Sequence, residues 1–181
     1  MRQIYLAYGT NIPSSLIKSR AKEAKKLGWG FIPDHQLLFG SGGFATIVPR
    51  AGAKTPVAIW AVSERDMVNL DFYESYPRYY DKKLATVELA DSSKWGNLNV
   101  QKDGSVEAEL HPKTVQGTVY YMRGDYRVAY PNRTAVRAAE VGYEEFGMPK
   151  EYLTEAITIS DSLCGRELWE VYEAWDIGAK Q

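Results

Sequence analysis

A series of short apolar segments with strand composition, separated by glycine-rich or polar turns, most constrains what this chain can fold into. The clearest pair flanks the turn Gly40-Ser41-Gly42-Gly43, and the apolar residues on both sides of it predict a β-hairpin. The predicted strands are Gln3–Tyr8, His35–Phe39, Phe44–Val48, Val57–Val62, Lys83–Leu89 and Thr114–Met122. Together they predict a mixed sheet that is curved or barrel-like.

Helical patterns lie between these strands and fill the last third of the chain. Ser63-Glu64-Arg65-Asp66 resembles a capping box and predicts a helix that runs to about Ser75. Later helices are predicted over Pro131–Phe146, closed by Gly147, and over Glu151–Ile157. A further helical face is shared by Leu168, Tyr172 and Trp175. The predicted fold class is α+β, with helices outside the sheet.

A basic segment after the first strand also has helical periodicity. Its apolar residues predict a helix over Ser14–Leu27, ended by Gly28. The basic residues on the other side of this helix are expected to form a solvated face: Lys18, Arg20, Lys22, Lys25 and Lys26.

Composition limits the classes of function. The chain has 181 residues, 45% of them hydrophobic, which is the size and character of one folded domain. A formal net charge of −1 leaves no excess positive charge for a nucleic-acid backbone and argues against nucleic-acid binding. The sequence contains no apolar run of about 18 residues, the length that a membrane-spanning helix requires. The start of the chain does not resemble a signal peptide, so a cytoplasmic protein is expected. One cysteine and two histidines leave no internal disulfide and no zinc cluster to expect.

The first candidate site is the tetrapeptide Tyr8-Gly9-Thr10-Asn11, which follows the first predicted strand and precedes a predicted helix. Successive backbone N–H groups at such a turn can converge on an anion, and glycine allows a ligand to approach closely. The alternative is a plain strand-to-helix turn in which Asn11 caps the helix.

The second candidate site is Glu74. Met67, Leu70, Asp71 and Glu74 fall on one helical face, and the two apolar members direct that face inward. Partial burial and the nearby helix C-terminus would both raise the pKa of Glu74, which suits a residue that takes and returns a proton. The alternative is an exposed glutamate, or one paired with Arg78. Core packing or a pocket wall would equally explain the surrounding tyrosines: Tyr73, Tyr76, Tyr79 and Tyr80.

These motifs together resemble the γ-glutamylcyclotransferase superfamily, which includes AIG2-like proteins. Tyr8-Gly9-Thr10-Asn11 is similar to the family's Y-G-[ST]-[NL] loop, and Leu70-Asp71-Phe72-Tyr73-Glu74 to its L-D-x-x-E element. Phe44–Pro49 resembles its second strand pair, and Gly142–Leu153 its late helical region. The resemblance covers roughly residues 1–160, which leaves residues 161–181 as a C-terminal helical extension packed on that domain.

The resemblance implies a small mixed β-barrel flanked by helices. It implies an enzyme that closes a γ-glutamyl compound to 5-oxoproline and releases an amine, with Glu74 as general acid and base and with no metal or organic cofactor. The substrate-binding residues would be Tyr8, Gly9, Thr10, Asn11, Tyr79 and Tyr80.

Departures from the family pattern keep other functions open. The family's P-S-x-x-Y motif is replaced by Pro131-Asn132-Arg133-Thr134-Ala135, and the first loop mixes the forms of two branches. A non-catalytic protein could use the same pocket to bind a small anionic or nucleotide-like ligand. A third hypothesis is an interaction protein that docks a partner, or forms a homodimer, through Trp169, Tyr172 and Trp175.

Overall fold

Five β-strands close into a barrel in a computed structural model that describes residues 2–91 and 113–179. The strands are β1 (Arg2–Ala7), β2 (Lys25–Gly40), β3 (Phe44–Ser63), β4 (Tyr80–Leu89) and β5 (Thr114–Met122). They are arranged in the order β1-β3-β2-β4-β5, and β5 returns to β1. The β1–β5 pair is parallel and the other pairs are antiparallel, so the predicted mixed barrel is confirmed.

Within the described residues, five α-helices accompany the barrel and confirm the α+β class. They are α1 (Ser14–Arg20), α2 (Glu64–Tyr73), α3 (Arg133–Phe146), α4 (Glu151–Ser162) and α5 (Leu168–Ala179). The 3₁₀ turn Ser41–Gly43 joins β2 to β3 and forms the predicted hairpin. None of the helices in the described parts of the chain combines the length and apolar character that crossing a bilayer requires.

Local signals placed the ends of two helices correctly. Ser63 accepts a hydrogen bond from the Asp66 N–H, and the Asp66 carboxylate accepts one from the Ser63 N–H, which is the predicted capping box at the start of α2. Gly147 ends α3 with a φ of 68°, a left-handed conformation that suits glycine.

The predicted helix over Ser14–Leu27 is wrong in its second half. α1 ends at Arg20, and Lys25 and Lys26 already pair with β3. The apolar spacing of the segment fits a helix locally, but pairing with a distant strand satisfies its backbone and closes the barrel. Gly28 is therefore not a helix end: it lies at a register shift inside β2, with a φ of 150°.

Two helices close off the buried interior of the barrel. Trp60 of β3 is fully buried and meets the Phe146 ring of α3 with a centroid distance of 5.5 Å. In α5, Leu168 and Val171 are buried, and the Arg50 guanidinium lies 4.9 Å from the centroid of the Trp175 ring. The same helix leaves two large aromatic side chains partly in solvent, Trp169 at 44% and Tyr172 at 42% exposure.

Gly142 controls how closely α3 approaches the loop between β1 and α1. A Cβ added to Gly142 would lie 2.2 Å from Ile12 Cγ2 and 2.4 Å from Ile12 Cβ. Ile12 is itself fully buried, so it has little room to move aside. α3 thus packs directly against the end of the Tyr8–Asn11 loop.

We expect Gly142→Ala to lower the free energy of unfolding by about 1–3 kcal/mol, because overpacking at a buried contact forces backbone shifts. Helix propensity alone predicts the opposite sign, a gain of about 1 kcal/mol. Urea denaturation followed by circular dichroism measures the difference. The control is Val141→Ala, one residue earlier at a partly exposed position of α3. A Gly142→Ala protein as stable as the wild type would show that this contact is loose.

Candidate active site

A cavity of about 310 Å³ opens where β1 ends, beside the last turn of α2. All the residues predicted for the site line it: Tyr8, Gly9, Thr10, Asn11, Glu74, Tyr79 and Tyr80. Tyr5, Tyr73 and Tyr120 also line the cavity, so six tyrosines form its walls. The structure thus brings together two motifs that the sequence separates by more than sixty residues.

The loop after β1 offers both backbone and side-chain donors. The Ile12 N–H donates to Gly9 O at 3.1 Å and closes a turn. Within residues 2–91 and 113–179, the N–H groups of Gly9, Thr10 and Asn11 have no hydrogen-bond acceptor. Because these residues line the cavity, their N–H groups are candidates to bind an anion there.

Asn11 contributes through its side chain, a role that the motif alone did not indicate. The residue is 3% exposed, and its Nδ2 donates to Tyr5 OH and to Glu74 Oε1, both at 2.8 Å. Asn11 therefore links the loop directly to the glutamate, and it does not cap α1.

Glu74 is the C-cap residue, directly after the last residue of α2, and its backbone N–H donates to Leu70 O at 2.8 Å. Burial of the carboxyl group raises the pKa of Glu74 to about 7, against opposing effects from the charge of Arg20 and the hydrogen bond of Asn11. A carboxyl group with this pKa can accept or release a proton near neutral pH. Among the contacts of the described residues, Glu74 has none with Arg78, so they do not support the alternative in which the two residues pair.

Arg20 was expected on a solvated face, and that expectation is wrong. Its side chain turns back over the loop and donates to Asn11 Oδ1, next to the Glu74 carboxylate. The error arose because α1 is only seven residues long, so a basic residue at its end can reach the preceding loop. No periodicity signal could have found this contact.

The tyrosines predicted to bind substrate line the cavity, and their hydroxyl groups donate hydrogen bonds to backbone carbonyl groups. Tyr80 OH donates to Ala45 O at 2.7 Å, Tyr8 OH donates to Tyr120 O at 2.5 Å, and Tyr79 OH donates to Ser41 O. These bonds fix the walls of the cavity. Tyr76, in contrast, does not line the cavity and is 38% exposed.

The departure from the family motif at 131–135 lies outside the cavity lining. Asn132 caps α3, since its side chain accepts hydrogen bonds from the Thr134 and Ala135 N–H groups. Ala135 is buried in the packing of that helix. In the described ranges, no three His, Cys, Asp or Glu side chains converge as a metal site.

Comparison with known proteins gives one family and several solved structures of the same fold. A family model described as gamma-glutamyl cyclotransferase, AIG2-like, matches residues 5–130. A solved structure of a gamma-glutamyl cyclotransferase is 22% identical, with a TM-score of 0.68 and 86% of each chain covered. An uncharacterized protein from Homo sapiens is also 22% identical, with a TM-score of 0.63 and the same coverage of both chains.

A gamma-glutamyl cyclotransferase specific to glutathione, from yeast, has the same fold with much less sequence similarity. It is 11% identical, with a TM-score of 0.56, and the match covers 91% of this chain and 97% of that one. At these identities the structures support the fold of the barrel and its helices. Comparison with the sequences of curated proteins gives no match.

The raised pKa of Glu74 predicts a pH-dependent cost to folding. An unfolded glutamate ionises near pH 4.3, so the folded protein loses stability as pH rises from there through about 7. Glu74→Gln has no charge to bury. At pH 8 the free energy of unfolding of Glu74→Gln should therefore exceed that of the wild type by about 2 kcal/mol. This value is reduced because the site is partly exposed to solvent. The difference between the two proteins should become smaller as the pH is lowered towards 5.

Chemical denaturation at several pH values checks this expectation. Glu155→Gln is the control, because it removes an exposed carboxylate of α4 that does not line the cavity. A stability difference between Glu74→Gln and the wild type that stays constant from pH 5 to pH 8 would mean that the Glu74 carboxyl group is not desolvated in the folded protein.

Proposed function

The chain belongs to the gamma-glutamyl cyclotransferase, AIG2-like family, and from that premise we propose that it converts a γ-glutamyl compound into 5-oxoproline and a free amine. One observation carries the proposal. Glu74, with a pKa raised to about 7, lies in one cavity with the loop Gly9–Asn11, whose N–H groups have no acceptor in the described parts of the chain. A proton acceptor and an anion site thus face the same small space.

The reaction needs both features. The substrate carries an α-carboxylate, an α-ammonium group and a γ-carbonyl group joined to the leaving amine. The loop N–H groups bind the α-carboxylate or the oxyanion that forms on the γ-carbonyl oxygen. The Glu74 carboxylate takes a proton from the α-ammonium group.

The freed α-amine then attacks the γ-carbonyl carbon and forms the new C–N bond of a five-membered ring. The attack is intramolecular, so the cavity mainly has to hold the substrate in a folded conformation. When the tetrahedral intermediate collapses, the original C–N bond breaks and the protonated Glu74 gives its proton to the leaving amine. The ring nitrogen still carries one extra proton, which the regenerated Glu74 carboxylate takes and passes to the released amine, so that the amine leaves as an ammonium ion. Glu74 then ends in its starting carboxylate form.

The walls of the cavity suit a compact substrate. Three tyrosine rings line the part of the cavity proposed to hold the γ-glutamyl group, those of Tyr8, Tyr79 and Tyr80. The hydroxyl group of each donates to a backbone carbonyl. Such fixed rings favour one folded conformation of the γ-glutamyl group over the many that it adopts in water.

A mass-spectrometric assay of 5-oxoproline release from a panel of γ-glutamyl compounds tests the proposal. We expect Glu74→Gln to reduce turnover about 100-fold or more with the fold intact, because the amide cannot accept the proton. In the wild type, kcat/KM should rise as pH increases through about 7, since the carboxylate is the active form of the free enzyme.

Glu155→Gln again serves as the control and should keep wild-type turnover. Turnover in Glu74→Gln close to that of the wild type would remove Glu74 from the mechanism. A wild-type protein that releases no 5-oxoproline but retains a small anionic ligand through purification would instead identify a non-catalytic binding protein.

Gly9 provides a second test, directed at the loop. A Cβ on Gly9 would lie 3.2 Å from Ala45 Cβ, closer than carbon atoms normally pack. Gly9→Ala should therefore shift the loop and weaken substrate binding by about 10-fold, seen as a higher KM. Ala45→Gly removes the opposing methyl group, so the double variant Gly9→Ala/Ala45→Gly should recover most of the loss. An unchanged KM in Gly9→Ala would show that the loop has a purely structural role.

A further inference from the structure

Arg20, the last residue of α1, connects the loop to the end of α2. Its Nη1 donates to Thr10 O at 3.4 Å, to Thr10 Oγ1 at 3.3 Å and to Asn11 Oδ1. Its Cζ lies 3.7 Å from the centroid of the Tyr73 ring, next to Glu74 in sequence. The planar guanidinium group is thus held between two elements that both line the cavity.

This placement determines which way the Asn11 amide points. A guanidinium group only donates hydrogen bonds, so it must face the amide oxygen of Asn11. The amide nitrogen then faces Tyr5 and Glu74, and its two hydrogens reach Tyr5 OH and Glu74 Oε1, each at 2.8 Å. Without Arg20, the amide could rotate by half a turn and place its oxygen against the Glu74 carboxylate, which would be repulsive.

We propose that Arg20 is a positioning residue: by fixing the Asn11 amide, it favours the charged form of the Glu74 carboxylate and holds it in the orientation that a base requires. Asn11 is the one hydrogen-bond partner of the Glu74 carboxyl group among the described residues, and it engages Oε1. The second oxygen, Oε2, is left to receive the proton of the substrate's ammonium group. In this catalytic sense the inference rests on the proposed function.

The other groups around Glu74 cannot replace the charge of Arg20. Burial raises the pKa values of Tyr5, Tyr8, Tyr80 and Tyr120, so these tyrosines remain neutral at physiological pH. They come from β1, the loop after it, β4 and β5, which are the elements packed around the glutamate.

Asp71, one turn earlier on α2, is paired with Lys82 at 2.7 Å and accepts a hydrogen bond from Tyr120 OH. Neither Asp71 nor Lys82 lines the cavity. Arg20 is therefore the one charged group in the described ranges that lowers the pKa of Glu74, both directly and through the orientation of Asn11.

The test measures the titration of Glu74 directly, without substrate. In protein labelled with ¹³C at glutamate side-chain carboxyl carbons, the Glu74 signal is the one that disappears in Glu74→Gln. We expect its midpoint to rise by about one pH unit in Arg20→Met, because an opposing positive charge and a fixed donor are both lost. The acid limb of the kcat/KM profile should move by the same amount.

Lys18→Met is the matched control, since Lys18 is exposed, lies on the same helix and carries the same charge. In Lys18→Met, the midpoint of the Glu74 titration should equal that in the wild type. If the midpoint in folded Arg20→Met also equals that of the wild type, the inference is wrong.

Arg20→Lys covers the case in which Arg20→Met does not fold. It keeps the charge but not the planar group that holds Thr10, Asn11 and Tyr73 together. We expect a smaller rise of the midpoint and a fall in kcat of about 5-fold or more; wild-type values for both would overturn the positioning role. A wild-type protein without 5-oxoproline release would contradict the proposed function, while the titration would still decide the role of Arg20.

Discussion

The pairing of β1 with strands on both of its sides is the constraint on which the site depends. β1 pairs with β3 along Arg2–Ala7 and with β5 at Tyr5 and Leu6, which closes the barrel. The loop that follows β1 therefore leaves a strand that cannot shift in register without breaking two ladders. β3 leads directly through the Ser63 cap into α2, and Glu74 caps the C-terminus of α2. One strand pair thus sets the distance between the loop and a carboxylate 63 residues further along the chain.

Within this frame, the Glu74 carboxyl group is placed where its charge is unfavourable. It follows the C-terminus of a helix, and burial raises its pKa. Asn11 and Arg20 oppose this effect without cancelling it, because one supplies a hydrogen bond and the other a positive charge. A fully compensated carboxylate would be a weak base, and an uncompensated one would stay protonated. The balance between the two leaves the group able to exchange a proton near neutral pH.

Much of this arrangement could be predicted from short-range patterns, and the rest depends on contacts that such patterns do not contain. The strand-turn motif at Gly9, the Ser63 capping box and the inward face ending at Glu74 are local, so the barrel class and the two sides of the cavity could be predicted. The strand that begins at Lys25 resembles a helix locally, and only its pairing with β3 decides its structure. Arg20 looked like one more surface charge for the same reason: its role arises from a fold-back contact with Asn11.

The hydrogen bonds of the tyrosines direct most of the hydroxyl groups in the cavity walls toward the protein. Tyr8, Tyr79 and Tyr80 donate to backbone carbonyls, Tyr120 donates to Asp71, and Tyr5 accepts from Asn11. Four of the six lining tyrosines thereby donate to the protein and a fifth accepts from it, so a ligand meets largely ring surfaces. The loop N–H groups and Oε2 of Glu74 are polar groups of this lining that have no hydrogen-bond partner among the described residues. In the proposed reaction these groups would meet the α-carboxylate and α-ammonium groups of a γ-glutamyl compound, whereas the rings would place weaker demands on the amine that leaves.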